Sequence, residues 1–198
     1  MALHHRARLE ADETVLVHAG AGGVSSTAIQ VAKAAGARVI ATAGGPEKVE
    51  VCRGLGAEIA IDYRGENFVE VVKEATDGRG ADVIFDPVGG DVFDGSRRCV
   101  AFEGRILIIG FAGGRIAEAP TNHVLVKNYS VVGMHWGLYT KVMRDLILST
   151  HKNLIRLYEA GEIDPLIFDT VPFEELPKAL KMLGSRGTYG KIITRPAD

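Results

Sequence analysis

Six residues, Gly20-Ala21-Gly22-Gly23-Val24-Ser25, carry the clearest chemical signal in this 198-residue chain. They follow the apolar run Thr14-Val15-Leu16-Val17-His18 and open a segment with helical spacing of its apolar residues. A strand, a glycine-rich turn and a helix, in that order, can cradle a phosphate. Gly20 permits a tight turn out of the strand, and Gly22 lets backbone approach a pyrophosphate with no Cβ in the way. The amides that open the helix then face the anion, assisted by the helix dipole. The third position of such a turn usually holds Gly or Ala, so that helix and strand pack closely. Here it is Ser25, only slightly larger than Ala, with a hydroxyl able to bond back within the helix. The same order of elements also serves as a plain strand-to-helix turn, so the flanking context must decide.

A second group follows at Ala41-Thr42-Ala43-Gly44-Gly45-Pro46-Glu47-Lys48. An Asp or Glu at the end of this second strand would clasp the ribose hydroxyls of NAD and repel a 2′-phosphate. None stands there, and Lys48 lies close by, which favours NADP. Glu47 beside it weakens the charge argument, and Lys48 has the ordinary alternative of solvating a helix. The histidines His4, His5, His18, His123, His135 and His151 are scattered and form no ligand set. No Ser/His/Asp series supports a nucleophile. Cys52 and Cys99 make neither a metal pair nor a disulfide framework, and no basic cluster argues that Cys52 is an activated thiolate.

The elements that must position these residues alternate. Strands are expected at Thr14–His18, Arg38–Thr42, Ile59–Asp62, Asp82–Asp86, Arg105–Ile109 and Tyr129–Met134. Helices are expected at Gly23–Ala35, from Pro46 to about Leu55, at Asn67–Ala75 and at Asp91–Ala101. The strands are almost solid in Val, Ile, Leu and Ala, the pattern of a parallel sheet covered on both faces. The fold class is therefore α/β: a Rossmann-type, doubly wound parallel sheet of six strands with a C-terminal α+β tail. After Gly137 come one long helical pattern, Lys141–Ala160, with a possible break at Ser149-Thr150, then a strand-like LIFDTVPF, a short helix Glu174–Leu183 and a last strand Lys191–Thr194. Two isolated strands need a sheet partner, and none is evident upstream.

Bulk properties fit a cytosolic globular protein. Hydrophobic residues make up 46% and charged residues 24%, with a net charge of −2 and both signs dispersed, so there is no electrostatic footprint for nucleic acid. No apolar run is long enough to span a membrane, and the charged residues 1–13 do not resemble a signal peptide.

Together the segments HAGAGGVSSTAIQVAKAAGARVIATA, EKVEVCRGLGAEIAIDYR, DGRGADVIFDPVGGD, GRILIIGFAGG, KNYSVVGMHWG and GTYGKIITRP resemble the zinc-free quinone oxidoreductase (zeta-crystallin-like) branch of the medium-chain dehydrogenase/reductase superfamily. The resemblance implies that Gly20, Ala21, Gly22, Gly23, Val24 and Ser25 hold the pyrophosphate of NADP(H). Lys48 and Tyr63 would contact the adenosine 2′-phosphate, in a pocket lined by Gly44 and Gly45, the latter standing where a serine is often seen. Asp86, Pro87 and Val88 would lie beneath the adenosine and ribose, and Gly110 and Phe111 would approach the nicotinamide. Residues 1–137 would be the dinucleotide-binding domain. Residues 138–198 would be a C-terminal helix and a remnant of the substrate domain, whose β-rich, GroES-like N-terminal part has no counterpart in these residues. The implied function is the NADP(H)-binding portion of a cytoplasmic enzyme that transfers hydride from NADPH to quinones or activated alkenes without a metal. This chain alone would bind cofactor and turn over weakly or not at all. A non-catalytic NADP(H)-binding or sensing module and an enoyl-reductase segment of a synthase are the alternatives. A small-molecule quinone or enone is expected as partner only with the missing lobe present, and a homodimer is expected through the edge Tyr129–Trp136.

Overall fold

Residues 1–196 are described by the structure, a computed structural model of the chain. Six strands form one parallel sheet: β1 (Thr14–Val17), β2 (Arg38–Ala43), β3 (Ile59–Asp62), β4 (Ala81–Asp86), β5 (Val100–Ile108) and β6 (Ser130–Gly133). Their spatial order is β3-β2-β1-β4-β5-β6, so the winding reverses between β1 and β4. In an open sheet of this kind that reversal opens a crevice at the carboxyl ends of the strands. The crossovers are α1 (Ser25–Ala34), α2 (Pro46–Gly54), α3 (Phe68–Ala75), α4 (Gly90–Cys99) and α5 (Thr121–Lys127). Among the described residues no helix is long and apolar enough to cross a membrane.

The solid apolar strands follow from a period of two with both faces covered. Val15, Val17, Val39, Ala41, Val83, Phe85 and Leu107 face a layer built with Ile29 and Ala32 of α1 and with Val49 and Cys52 of α2. Leu16, Ile40, Ile61, Ile84 and Ile106 face the opposite layer, with Val69 and Val72 of α3 and Phe93 of α4. Each fully buried aliphatic side chain contributes about 2 kcal/mol. At the end of the sheet away from the crevice, Arg105 donates to both carboxylate oxygens of Glu13 (2.7 and 2.8 Å) and to the Ala7 carbonyl (2.9 Å), which straps the N-terminal segment in place. That segment holds one wide helical turn, Ala2–Arg6.

Three local expectations change. The helix expected to reach Ala101 ends at Cys99, and β5 begins at once at Val100, irregular where it passes Ala81 and Val83. The long helix breaks at Met143, with φ −137° and ψ 56°, dividing α6 (Trp136–Val142) from α7 (Arg144–Glu159). α7 runs unbroken through Ser149, whose hydroxyl is satisfied by the Leu146 carbonyl one turn back. The tail strands find each other: β7 (Ile167–Pro172) and β8 (Lys191–Arg195) pair in parallel, joined by a short helical turn and α8 (Leu176–Gly184). This βαβ unit rests on the glycine turn of the large sheet.

Candidate functional site

The chain leaves β1 through a turn in which the Gly20 amide donates to the Thr42 carbonyl (2.8 Å) and the Gly22 amide to the Ala19 carbonyl (2.8 Å). A Cβ on Gly20 would stand 2.7 Å from the Cys52 sulfur and 3.0 Å from the Ala41 Cβ, so only glycine lets the turn sit this low. Cys52 itself is wholly buried, and burial pushes its thiol up to about 12, which leaves it an inert packing group. Ser25 does not bond along its own helix as the sequence suggested. Its buried hydroxyl donates to the His18 carbonyl at the end of β1 (2.8 Å), so the extra atom sews helix to strand. The amides of Gly23, Val24 and Ser25 have no acceptor among the described residues, which is the free donor set that a helix N-terminus offers an anion.

His18 lies under this turn, 1% exposed, with burial pushing its pKa down to about 3. Its Nδ1 is 3.0 Å from the Thr42 hydroxyl and its Nε2 2.9 Å from the Ser96 hydroxyl. The Ser96 hydroxyl donates to the Val92 carbonyl (2.8 Å), so Nε2 carries the ring proton and Nδ1 accepts from Thr42. A neutral imidazole thus ties β1, β2 and α4 together at the floor of the crevice.

Opposite the glycine turn, Gly44 and Gly45 follow β2, and Gly45, with φ +95°, is the N-cap of α2. A Cβ on Gly44 would meet the Tyr63 hydroxyl at 2.5 Å and the Arg64 Nε at 3.2 Å; one on Gly45 would stand 3.0 Å from an Arg64 terminal nitrogen. Tyr63 and Arg64 are therefore folded back over this turn. Lys48, on the first turn of α2, donates to the Arg186 carbonyl (2.8 Å) and draws the loop after α8 to the same place. A cavity of about 580 Å³ lies between the two turns, with Lys48, Tyr63, Arg64 and Arg186 on its wall.

The tail closes one side of that cavity. The Gly190 amide donates to the Ala21 carbonyl (2.7 Å), Gly190 bridges Gly22 as a strand neighbour would, and Lys191 Nζ donates to the Gly23 carbonyl. Gln30 of α1 completes the attachment by exchanging two bonds with the Asp164 backbone (2.8 and 2.6 Å). Arg186, Thr188, Tyr189 and Gly190 thus line the cleft. The sequence places this stretch in the remnant of the substrate domain, and its one named signal beyond the segment GTYGKIITRP is the turn GSRGTYG.

Asp86 and Pro87 do not line the cleft, contrary to expectation. Asp86 is fully buried, and its Oδ1 accepts the Val88 and Gly89 amides (2.8 and 2.9 Å), shaping the turn that delivers Val88 and Gly89 to the cavity wall. Burial raises its pKa against the pull of those two amides, and its Oδ2 has no partner. Gly20, Val24, Ser25 and Gly45 likewise stand outside the lining, whereas Ala21, Gly22, Gly23, Gly44, Lys48, Tyr63 and Val88 belong to it. Gly110 and Phe111 line a second, mostly apolar cavity of about 790 Å³, with Met134, Leu138, Val142 and Met143. The loop after β5 stands between the two cavities: Ala112 and Gly113 donate to the Pro87 and Val88 carbonyls (3.0 and 2.9 Å) and line the first cavity, one step beyond Phe111 in the second. The first cavity lies at the reversal between β1 and β4 and the second beyond the end of β5, a pair that suits the two halves of a dinucleotide. Of the lining residues missed by sequence reasoning, His18, Thr42 and Arg64 lie within the quoted motifs beside the named residues, whereas Arg115 and Arg186 reach the cleft through tertiary contacts that no local motif encodes.

Residues 23–151 match the family model described as zinc-binding dehydrogenase. A quinone oxidoreductase-like protein 2 homolog from Nematostella vectensis is 37% identical over 193 residues, which are 96% of this chain and 53% of that protein. Among solved structures, a Pseudomonas syringae quinone oxidoreductase superposes with a TM-score of 0.87 at 31% identity, over 96% of this chain and 58% of that one. The Escherichia coli quinone oxidoreductase complexed with NADPH gives 0.85 at 30%, over 94% and 58%. The chain spans about half the length of the curated relatives it matches. Among the described residues no three His, Cys, Asp or Glu side chains gather as metal ligands.

Proposed function

The chain belongs to the zinc-binding dehydrogenase family of oxidoreductases, and from that premise we propose that it is the NADP(H)-binding portion of a quinone or activated-alkene reductase. The observation that carries this reading is the cleft itself. Gly23 lines it from one turn, where the amides of Gly23, Val24 and Ser25 are unpaired, and Lys48, Arg64 and Arg186 gather with Tyr63 at the other. The first set suits a pyrophosphate and the second a ribose phosphate, since charge-assisted bonds to phosphate are the stronger kind. The Escherichia coli relative bound to NADPH supports the same assignment.

When bound, NADPH supplies a hydride. The chain's residues would orient it: the glycine turn by its amides, the cationic rim by charge, and Gly110 and Phe111 by backing the nicotinamide end. What the described residues lack is a closed acceptor site. Phe111, Leu138, Val142 and Met143 line the apolar cavity and are 41%, 54%, 67% and 44% exposed, so water has access where an acceptor would sit. Hydride transfer needs both reactants held at near-attack distance with water excluded. This favours cofactor binding over turnover in the chain alone, with the acceptor held by a further lobe; the alternative, a non-catalytic NADP(H)-binding module, has the same cleft. The buried, unpaired thiols Cys52 and Cys99 suit a cytoplasmic setting. In assembly we favour a homodimer through the edge strand β6.

The test is an oxidation assay of the purified chain with NADPH and a simple benzoquinone. Cofactor oxidation near background is expected. A turnover rate in the ordinary enzyme range of about 1–1000 per second would overturn the binding-only reading.

A further inference from the structure

The sequence offers no acid at the end of β2, yet the fold brings one to that turn from β3. Asp62 closes β3, and its Oδ1 accepts the Gly45 amide (2.9 Å) and the Arg64 amide (3.1 Å). It therefore caps α2, whose own N-cap, Gly45, has no side chain to do so. The other oxygen, Oδ2, has no bond among the described residues. Gly45 is also where the Arg64 guanidinium folds back, so carboxylate and cation share one turn. Pro46 contributes no amide and Glu47 adds a second negative charge. The first donor of α2 is thus already taken by a carboxylate, so a phosphate at this turn meets a resident negative charge beside the Lys48 and Arg64 side chains.

We propose that Asp62 sets this cleft's choice between phosphorylated and unphosphorylated dinucleotide. The inference rests on the dinucleotide reading and deepens it. With NADP(H), the carboxylate opposes the 2′-phosphate and subtracts from what Lys48, Arg64 and Arg186 contribute. With NAD(H), there is no 2′-phosphate for the carboxylate to oppose. The cleft consequently accepts both cofactors and prefers NADPH only modestly.

The experiment is calorimetric titration of the full chain with NADPH and with NADH, for wild type and Asp62→Asn. Asn keeps an acceptor for the Gly45 amide and removes the charge, so a capping role alone is preserved. Wild type is expected to bind both. In the variant the preference for NADPH should rise roughly tenfold, through tighter NADPH and equal or weaker NADH binding. Asp62→Ser, a shorter uncharged cap, should move the ratio the same way and serves if the first variant does not fold. A ratio that moves by less than about twofold, or affinities that shift together, would overturn the proposal while leaving the dinucleotide reading intact. Failure of wild type to bind either cofactor would remove both.

Discussion

Ser25 buries a hydroxyl where α1 presses on the end of β1, and its single bond to the His18 carbonyl is what makes that burial tolerable. Replacing it by Ala keeps the packing and strands a buried carbonyl. Ser25→Ala is therefore expected to cost about 1–3 kcal/mol in urea unfolding, with NADPH affinity changed far less, because the amide that faces the anion is untouched. Unchanged stability would refute the bond's role. The substitution was visible in the sequence as a departure from a glycine pattern. Its meaning was not, because a side chain seven residues from its acceptor can be paired only once the turn has a shape. Asp86 teaches the same lesson from the other direction. Its position after a strand suggested contact with ligand, yet two backbone amides hold it inside the fold. Lys48 and Tyr63 were readable from the motif that contains them; Arg186, 138 residues from Lys48, was not.

At the scale of elements, the strands and most helices could be read closely, because a sheet covered on both faces imposes solid apolar runs and its crossovers impose amphipathic ones. What escaped was set by single backbone positions or by distant docking. The break at Met143 has no Pro or Gly to announce it. The β7–β8 pair forms across α8 and settles on the glycine turn through Gly190, a contact of backbone with backbone. That docking is why position 23 holds a glycine: a Cβ there would stand 2.8 Å from the Gly190 carbonyl. The outer strand β6 poses the opposite problem. Its free edge carries Val131, 37% exposed, and the adjoining α5 leaves Leu125 and Val126 74% and 80% exposed. An apolar edge of this kind favours pairing with a second copy. Light scattering is expected to give a dimer for wild type and a monomer for Val131→Lys; a monomeric wild type would contradict the proposed pairing.

For the whole molecule, the arrangement divides labour unequally. One end of the sheet is fastened by Arg105 and Glu13, and the other is left open as a cleft whose walls come from residues as far apart as His18 and Gly190. The tail is one of those walls, so the first cavity is closed by the chain's own residues while the apolar one beside Phe111 stays exposed. This cleft is expected to bind a nicotinamide dinucleotide without any further lobe. Titration of the purified chain with NADPH, followed by nicotinamide fluorescence, tests it most directly. Saturable binding of one NADPH per chain, weakened by Lys48→Ala, is the expected result. No saturable binding in a chain that remains folded would contradict the claim, and would mean that the amides at the glycine turn and the cationic rim do not suffice to form a site.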